Sequence, residues 1–306
     1  MRHPLATQAP FSFAQTLAFV RRFPPCQGEY LIEDAALTAA VTIDGEAVPF
    51  TIRDGAPLTV EVADRAHARA LVARAAHWIG ADDDLRELYA AAAGDPPFLA
   101  LLERMHGLHH VRFLTLEEIA VYCVMMQRTP IAMAARKKRA FLERFGKRIT
   151  VRGHELRAMP TFDELVTLDP EAIGDAIGHA SNGRAIAVVV RGVAELGETF
   201  LRTAPYAAAR DALLEIPGVG PFSAGAILLR GLGRMDELPG MTWFAEAARV
   251  VYGASYDEAA ILRRYGRQIG YWSYYVRSGV DPHVPTWKSG TRIKARVVPE
   301  PVETVE

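Results

Sequence analysis

The sequence predicts an α+β protein in which a small antiparallel sheet precedes a longer run of helices. Residues 36–62 hold two Asp-Gly pairs, Asp44-Gly45 and Asp54-Gly55, each set between alternating apolar residues. That pattern is the strongest short-range signal of a β-hairpin. From about residue 83 to 277 the period changes to helices of ordinary length divided by Gly and Pro. Half of the 306 residues are hydrophobic and 23% are charged, a globular composition.

Along the chain, FAQTLAFVRRFPP reads as a short helix or strand stopped by Pro24-Pro25. The hairpins follow, and residues 63–80 look helical. Residues 1–82 therefore form an N-terminal antiparallel α+β domain. Residues 83–280 form a helical domain in which LTLEEIAVYCVMMQ offers Thr115 as N-cap with Glu118 three residues later, a capping box. TFDELVTL and DPEAIGDAI repeat the cap-then-apolar signature. Residues 281–306, Pro-rich and without periodicity, read as a tail.

Net charge is −1, so charge has to be read locally. Two cysteines, Cys26 and Cys123, are too few for a disulfide framework or a four-thiolate iron–sulfur cluster, and they fit a reducing cytoplasm. No run of eighteen apolar residues offers a membrane span, and the first residues lack the apolar core of a signal peptide.

The most specific local chemistry lies in LLEIPGVGPFSAGAILL, residues 213–229. A helix ends near Glu215-Ile216, a Pro-Gly-Val-Gly turn follows, and a second helix starts near Phe222-Ser223. Gly218 and Gly220 lack the Cβ atoms that would hold a backbone away from a phosphate. The second helix presents unpaired N–H groups and the positive end of its dipole to an anion. A plain helical hairpin with a glycine turn is the alternative; the double glycine at spacing two, Pro217 and the Ser-Ala helix start favour a phosphate.

A second feature lies in residues 128–152, which hold nine Lys/Arg and one acid, Glu143. In a chain of net charge −1 this is an electrostatic footprint for nucleic acid. The alternative is a solvated helix face.

These segments resemble the helix-hairpin-helix superfamily of DNA base-excision glycosylases. LLEIPGVGPFSAGAILLRGLG is similar, almost position for position, to their hairpin L-x-x-(F/I/L)-P-G-(I/V)-G-x-x-(S/T)-A. VYCVMMQRTPIAMAARKKRAFLERFGKRI looks like the segment carrying their DNA-inserting residue. IGYWSYYVRSG looks like their last core helix. FSFAQTLAFVRRFPP followed by hairpins resembles the N-terminal domain of the 3-methyladenine-DNA glycosylase II branch. The resemblance covers roughly residues 10–280.

The resemblance implies a helix-hairpin-helix glycosylase domain that binds damaged duplex DNA, flips out an alkylated purine and hydrolyses its glycosidic bond. It implies phosphate contacts from Gly218, Gly220 and Ser223, and a Na or K ion on the carbonyls of Leu214, Ile216 and Val219, with no cofactor required. Gln127 and the wedge Arg128 fall where the family places residues that enter the duplex, with Lys137 and Lys138 behind them in the basic run. Phe19 and Tyr271, with Trp243 and Trp272 near in sequence, are the candidates for stacking on the base, which returns roughly 1–3 kcal/mol. A monomer working in the cytoplasm on the bacterial nucleoid is the expected context.

One position departs from the pattern. Glycosidic cleavage builds positive charge on the sugar, and a fixed carboxylate stabilises it. The family aspartate follows the Pro after the hairpin's second helix by two or three residues. Here that Pro is Pro239, and those positions are Met241 and Thr242. Three readings stay open. Cationic N3- or N7-alkylpurines leave without the acid; Asp236 or Glu246 replaces it; or the protein binds lesions without cutting. Lyase chemistry is not expected, because Pro221 or Phe222 stands where related lyases carry a lysine nucleophile.

Overall fold

A computed structural model of the chain describes residues 1–238 and 244–280. Five strands, β1 (Arg2–Leu5), β2 (Leu31–Glu33), β3 (Ala36–Ile43), β4 (Glu46–Arg53) and β5 (Leu58–Val62), form an antiparallel sheet in the order β1-β5-β4-β3-β2. Ile43 pairs with Glu46 across the two-residue turn Asp44-Gly45, whose φ values of 50° and 80° are both left-handed. This is the geometry that an Asp-Gly turn between twisted strands needs. The second pair, Asp54-Gly55, lies in a longer loop between β4 and β5. A third turn, Asp34-Ala35, joins β2 to β3 without glycine although both residues have positive φ.

The segment left open between helix and strand is helix α1 (Phe13–Arg22), capped by Ser12, whose side chain accepts from Gln15 N–H. Helices α2 (Ala68–Ile79), α3 (Arg86–Ala92), α4 (Pro96–Arg104), α5 (Leu116–Met125) and α6 (Ile131–Phe145) follow. The strands β6 (Lys147–Val151) and β7 (His154–Ala158) then interrupt the helices as a hairpin around Arg152-Gly153. Next come α7 (Phe162–Leu165), α8 (Pro170–Ile177), α9 (Ala180–Leu196), α10 (Glu198–Thr203), α11 (Tyr206–Leu214) and α12 (Pro221–Ala226), which runs on into a π-helical turn, Ile227–Gly231. Finally come α13 (Phe244–Tyr252), α14 (Glu258–Tyr265) and α15 (Ile269–Gly279).

The helix signals in the sequence act as caps, with one difference. Thr161 with Glu164 forms the full capping box, and Asp169 caps α8. Thr115 accepts from Glu118 N–H at 3.2 Å, but the Glu118 carboxylate does not return to Thr115. It accepts from Leu114 N–H at 2.9 Å and reaches Lys138. A buried cation one helix away outcompetes the reciprocal cap.

Two apolar cores organise the chain. The first packs β3, β4 and β5 through Leu37, Phe50, Ile52 and Val60 against α2, α4 and the returning α15, with Trp78, Phe98 and Trp272 at its centre. The second surrounds α5, whose residues are buried on every side, with α6, α9, α11 and α12. The hairpin β6–β7 covers the back of the sheet through Leu156 and Ala158 against Ala40 and Ala47. The seam between the two main cores is where α5, α12 and α15 approach one another.

Candidate nucleic-acid interface and base cleft

The hairpin is built as the sequence predicts. Helix α11 ends at Leu214, and Ile216 and Val219 are buried anchors on either side of the exposed Pro217-Gly218. Val219 N–H donates to the Ile216 carbonyl at 3.0 Å, closing the turn. Gly218 has φ +89°, which only glycine adopts without strain. Gly220 is different: its φ is −96°, and a Cβ placed there meets nothing within 4 Å. The protein does not need a glycine at 220; an open approach to the backbone is what glycine leaves there. No side chain caps α12 at Gly220, and Pro221 at the first helical position has no N–H to satisfy. Ser223 is buried and Leu214 is partly exposed.

Gln127, just past α5, donates its side-chain amide to the Gly218 carbonyl at 2.8 Å and to Ser223 Oγ at 3.1 Å. It therefore ties the end of α5 to the hairpin. The next residue, Arg128, is exposed with φ +49°. A left-handed arginine costs on the order of 1–3 kcal/mol and is characteristic of functional sites. Ile131 and Met133, both exposed apolar side chains, follow it.

The basic stretch divides in two. On α6, Arg136 and Arg139 are exposed and Lys137 is half-buried. On the β6–β7 hairpin the cations face acids: Lys147 meets Glu164 at 2.6 Å, Arg148 meets Glu155 at 3.6 Å and Arg152 meets Glu33 at 3.8 Å. The footprint is thus narrower than the sequence implies. Lys138 corrects the sequence reading outright. It is fully buried, bonded to Glu118, to Glu29 at 2.5 Å and to the Pro25 carbonyl at 3.0 Å. Its ammonium is held above the ordinary lysine range by the two carboxylates, against the opposing effect of burial. Lys138 lies on the inward face of this helix with Ala134, Phe141 and Leu142, so it is a strut rather than a DNA contact.

Beside the hairpin a cleft opens along the seam between the cores. Its walls come from α5 (Tyr122), the α12 segment (Phe222, Leu229, Arg230) and α15 (Tyr274, Arg277), with Phe23 and Phe113 closing the end. Arg230 lies in the π-helical turn, 8% exposed, its guanidinium 4.6 Å above the Phe23 ring. Burial lowers its affinity for the proton. Burial, then the charge of Arg230, brings Arg277 down to about 9. Among the described residues, no carboxylate lines the cleft.

The stacking candidates fall elsewhere. Tyr271 is buried with its hydroxyl on Asp83 and accepts from His110 N–H at 3.1 Å. Trp272 is at the centre of the first core, its indole N–H donating to Tyr252 at 2.8 Å. Both side chains turn away from the cleft, whose face of α15 carries Ser273, Tyr274 and Arg277. Because α15 is buried all round, its apolar pattern could not say which face lines a cleft. Phe19 stands one layer behind, stacked on Phe23 at 5.2 Å and against Tyr274. Met241, Thr242 and Trp243 lie outside the described residues. Of the substitute acids, Asp236 is 3.8 Å from Arg234, and Glu246 is an exposed residue of α13; neither lines the cleft. The residues missed from sequence, Arg230 above all, had one signal: a cation inside the apolar run AILLRGLG.

No protein-family model matches the chain. The chain is similar to a DNA-3-methyladenine glycosylase of Bacillus subtilis, 27% identical over 157 residues, covering 51% of this chain and 52% of that protein. It is also 27% identical over 168 residues to a probable bifunctional transcriptional activator/DNA repair enzyme AlkA of Mycobacterium tuberculosis, covering 55% and 33% respectively. The chain thus spans about half or less of the length of these curated relatives. Among solved structures, a 3-methyladenine DNA-glycosylase from Archaeoglobus fulgidus superposes with TM-score 0.74 at 18% identity, over 90% of this chain and 96% of that one. The 8-oxoguanine glycosylase/lyase of Clostridium acetobutylicum, bound to duplex DNA with cytosine opposite 8-oxoguanine, gives TM-score 0.67 at 14% identity, over 87% and 90%. The chain thus shares its fold with solved DNA glycosylases, and about half of it is similar in sequence to 3-methyladenine glycosylases.

Proposed function

We propose that this chain binds duplex DNA at a damaged base, turns that base out of the stack and holds it in the cleft between α5, α12 and α15. The observation that carries the reading is the Gln127 bridge. It fixes a strained, exposed Arg128 to the phosphate-binding hairpin at the mouth of an aromatic cleft. A flipped base leaves a gap that a planar guanidinium fills, and unstacking costs a few kcal/mol that the aromatic walls return. The backbone N–H groups of Gly218, Gly220 and Ser223 hold a phosphate, with Arg136, Lys137 and Arg139 on the neighbouring helix. The neutral carbonyls of Leu214, Ile216 and Val219 suit a monovalent cation at the hairpin; it contributes charge, not a chemical step.

For the enzyme reading, water adds to the deoxyribose as the base leaves, by a monofunctional hydrolysis. Among the described residues the cleft wall carries Phe222 and no lysine, which supports that assignment over lyase chemistry. The second reading, a lesion-binding protein that does not cut, is favoured by the lack of a carboxylate among the described residues that line the cleft and by Asp236 and Glu246 lying elsewhere. Losing such an acid removes about 10²–10⁴ in rate. The separating experiment is release of 7-methylguanine and 3-methyladenine from methylated duplex, with duplex affinity measured in parallel. Release above the buffer rate establishes hydrolysis. Retained affinity with no release shows that these two alkylpurines are not cut. If release occurs and Asp236→Asn and Glu246→Gln both keep the rate, no substitute carboxylate operates.

A further inference from the structure

The cleft carries more donor chemistry than an alkylated-purine pocket calls for. Arg230 Nε and Tyr122 Oη are both buried, both without a hydrogen-bond partner, and both belong to residues lining this same cleft. An orphaned buried donor costs about 1–3 kcal/mol, more when charged, so two in the lining of one cleft mark a place where an acceptor is missing. Among the described residues, the Arg230 guanidinium meets aromatic faces, Phe23 at 4.6 Å, Phe19 at 5.8 Å and Tyr274 at 6.0 Å, and no acid. Stacked rings of this kind steady the guanidinium plane and leave its N–H edge for a ligand. Arg277, from α15, also lines the cleft and adds positive charge. Of the remaining polar wall groups, Ser273 already donates to the Gly270 carbonyl at 2.7 Å and the Tyr274 hydroxyl accepts from Val111 N–H at 3.4 Å.

On the reading that this cleft receives an extruded base, we infer that it selects a base presenting hydrogen-bond acceptors, neutral or anionic and carbonyl-rich, and rejects a cationic one. Arg230 and Tyr122 together donate to acceptors on the base edge. An N3- or N7-alkylated purine brings a positive ring into low dielectric beside the Arg230 charge, where like charges are unfavourable. A dioxopurine brings two carbonyls, and its anionic form also neutralises the arginine. The selection lives in the donors, not in the aromatic walls, which stack on any base.

The test compares equilibrium binding of three duplexes with the full chain at one salt concentration. They carry, at the same position, xanthine, 7-methylguanine or a tetrahydrofuran abasic analogue. The expected result is xanthine bound at least about tenfold more tightly than 7-methylguanine, the scale of one charged hydrogen bond. Arg230→Met abolishes that preference and leaves the abasic duplex within about twofold. Tyr122→Phe, which removes only an unpartnered hydroxyl and so keeps the fold, lowers xanthine affinity several-fold and leaves 7-methylguanine unchanged. Equal or tighter binding of 7-methylguanine, or a preference that survives both substitutions, overturns the inference while the base-flipping reading stands. Failure to bind any of the three duplexes overturns the base-flipping reading and this inference with it.

Discussion

Gln127 donates its side-chain amide to the carbonyl of Gly218 at 2.8 Å, joining the end of α5 to a hairpin 91 residues later in sequence. That bond makes one unit of the proposed wedge, Arg128, and the proposed phosphate clamp. Gln127→Ala removes it together with the bond to Ser223 Oγ. Stability in urea should fall by about 1–2 kcal/mol. Affinity for a lesion duplex should fall further than stability alone explains, because Arg128 is no longer registered to the hairpin. Normal affinity in the variant would show that the two elements act separately.

Arg128 offers a sharper separation of stability from function. Its φ of +49° is strained for arginine and natural for glycine. Arg128→Gly should leave thermal stability unchanged or raised by up to about 1 kcal/mol. The same variant should bind a duplex carrying an abasic analogue at least about tenfold more weakly, since a wedge that stacks on bases is gone. A destabilised variant, or one with full affinity, contradicts the wedge assignment.

The basic run predicts two opposite behaviours from adjacent lysines. Lys138→Met strips the charge that compensates Glu29 and Glu118, and breaking such a buried set costs about 3–5 kcal/mol. Arg136→Gln with Lys137→Gln should stay within about 0.5 kcal/mol of wild type in stability. The same pair should lower the slope of log affinity against log salt by about one to two. Denaturation curves and a salt titration of duplex binding check the two together.

Acid should destabilise the fold, and His77 is one identified cause. Burial, with Arg112 and Arg202 beside it, pushes its imidazole down to about 2, and its Nε2 is 2.8 Å from the Gly231 carbonyl. Below its unfolded value near 6.5 the unfolded chain takes up a proton that the folded chain refuses, so stability falls as pH drops from 6.5 toward 2. His110, buried and likewise held low by burial first, acts in the same direction. Glu29, pushed up to about 7 by burial, opposes them between about 4.5 and 7, one carboxyl against two imidazoles. The melting temperature should drop from pH 7.5 to 5.5, and by less in His77→Asn than in wild type. An equal drop in both would remove His77 from the account.

The fold was legible where local signals act alone. Asp44-Gly45 specified its turn, Thr115, Thr161 and Asp169 capped their helices, and the Pro-Gly-Val-Gly hairpin lies as its glycines imply. The sequence was silent where burial decides. Lys138 looks like its neighbours Lys137 and Arg139, and only the acids brought in from residues 29 and 118 make it internal. The Arg152-Gly153 turn lay hidden in a charged stretch because the hairpin's apolar face is short. Tyr271 and Tyr274 are indistinguishable by type, yet one is bound to Asp83 and the other faces the cleft. No local rule assigns Arg230 to the cleft, since its neighbours there come from residues 23, 122 and 274.

The central claim is that the hairpin clamps DNA, and Gly220 tests it most directly. Its backbone is extended, at φ −96° and ψ 179°, and an added Cβ meets no protein atom within 4 Å. The measurement is equilibrium binding of Gly220→Val and wild type to a duplex with one abasic analogue, alongside their denaturation curves. The account predicts stability within about 1 kcal/mol and affinity reduced at least about tenfold, because the new methyl groups occupy the space of a phosphate. Unchanged affinity in a variant of unchanged stability would contradict it.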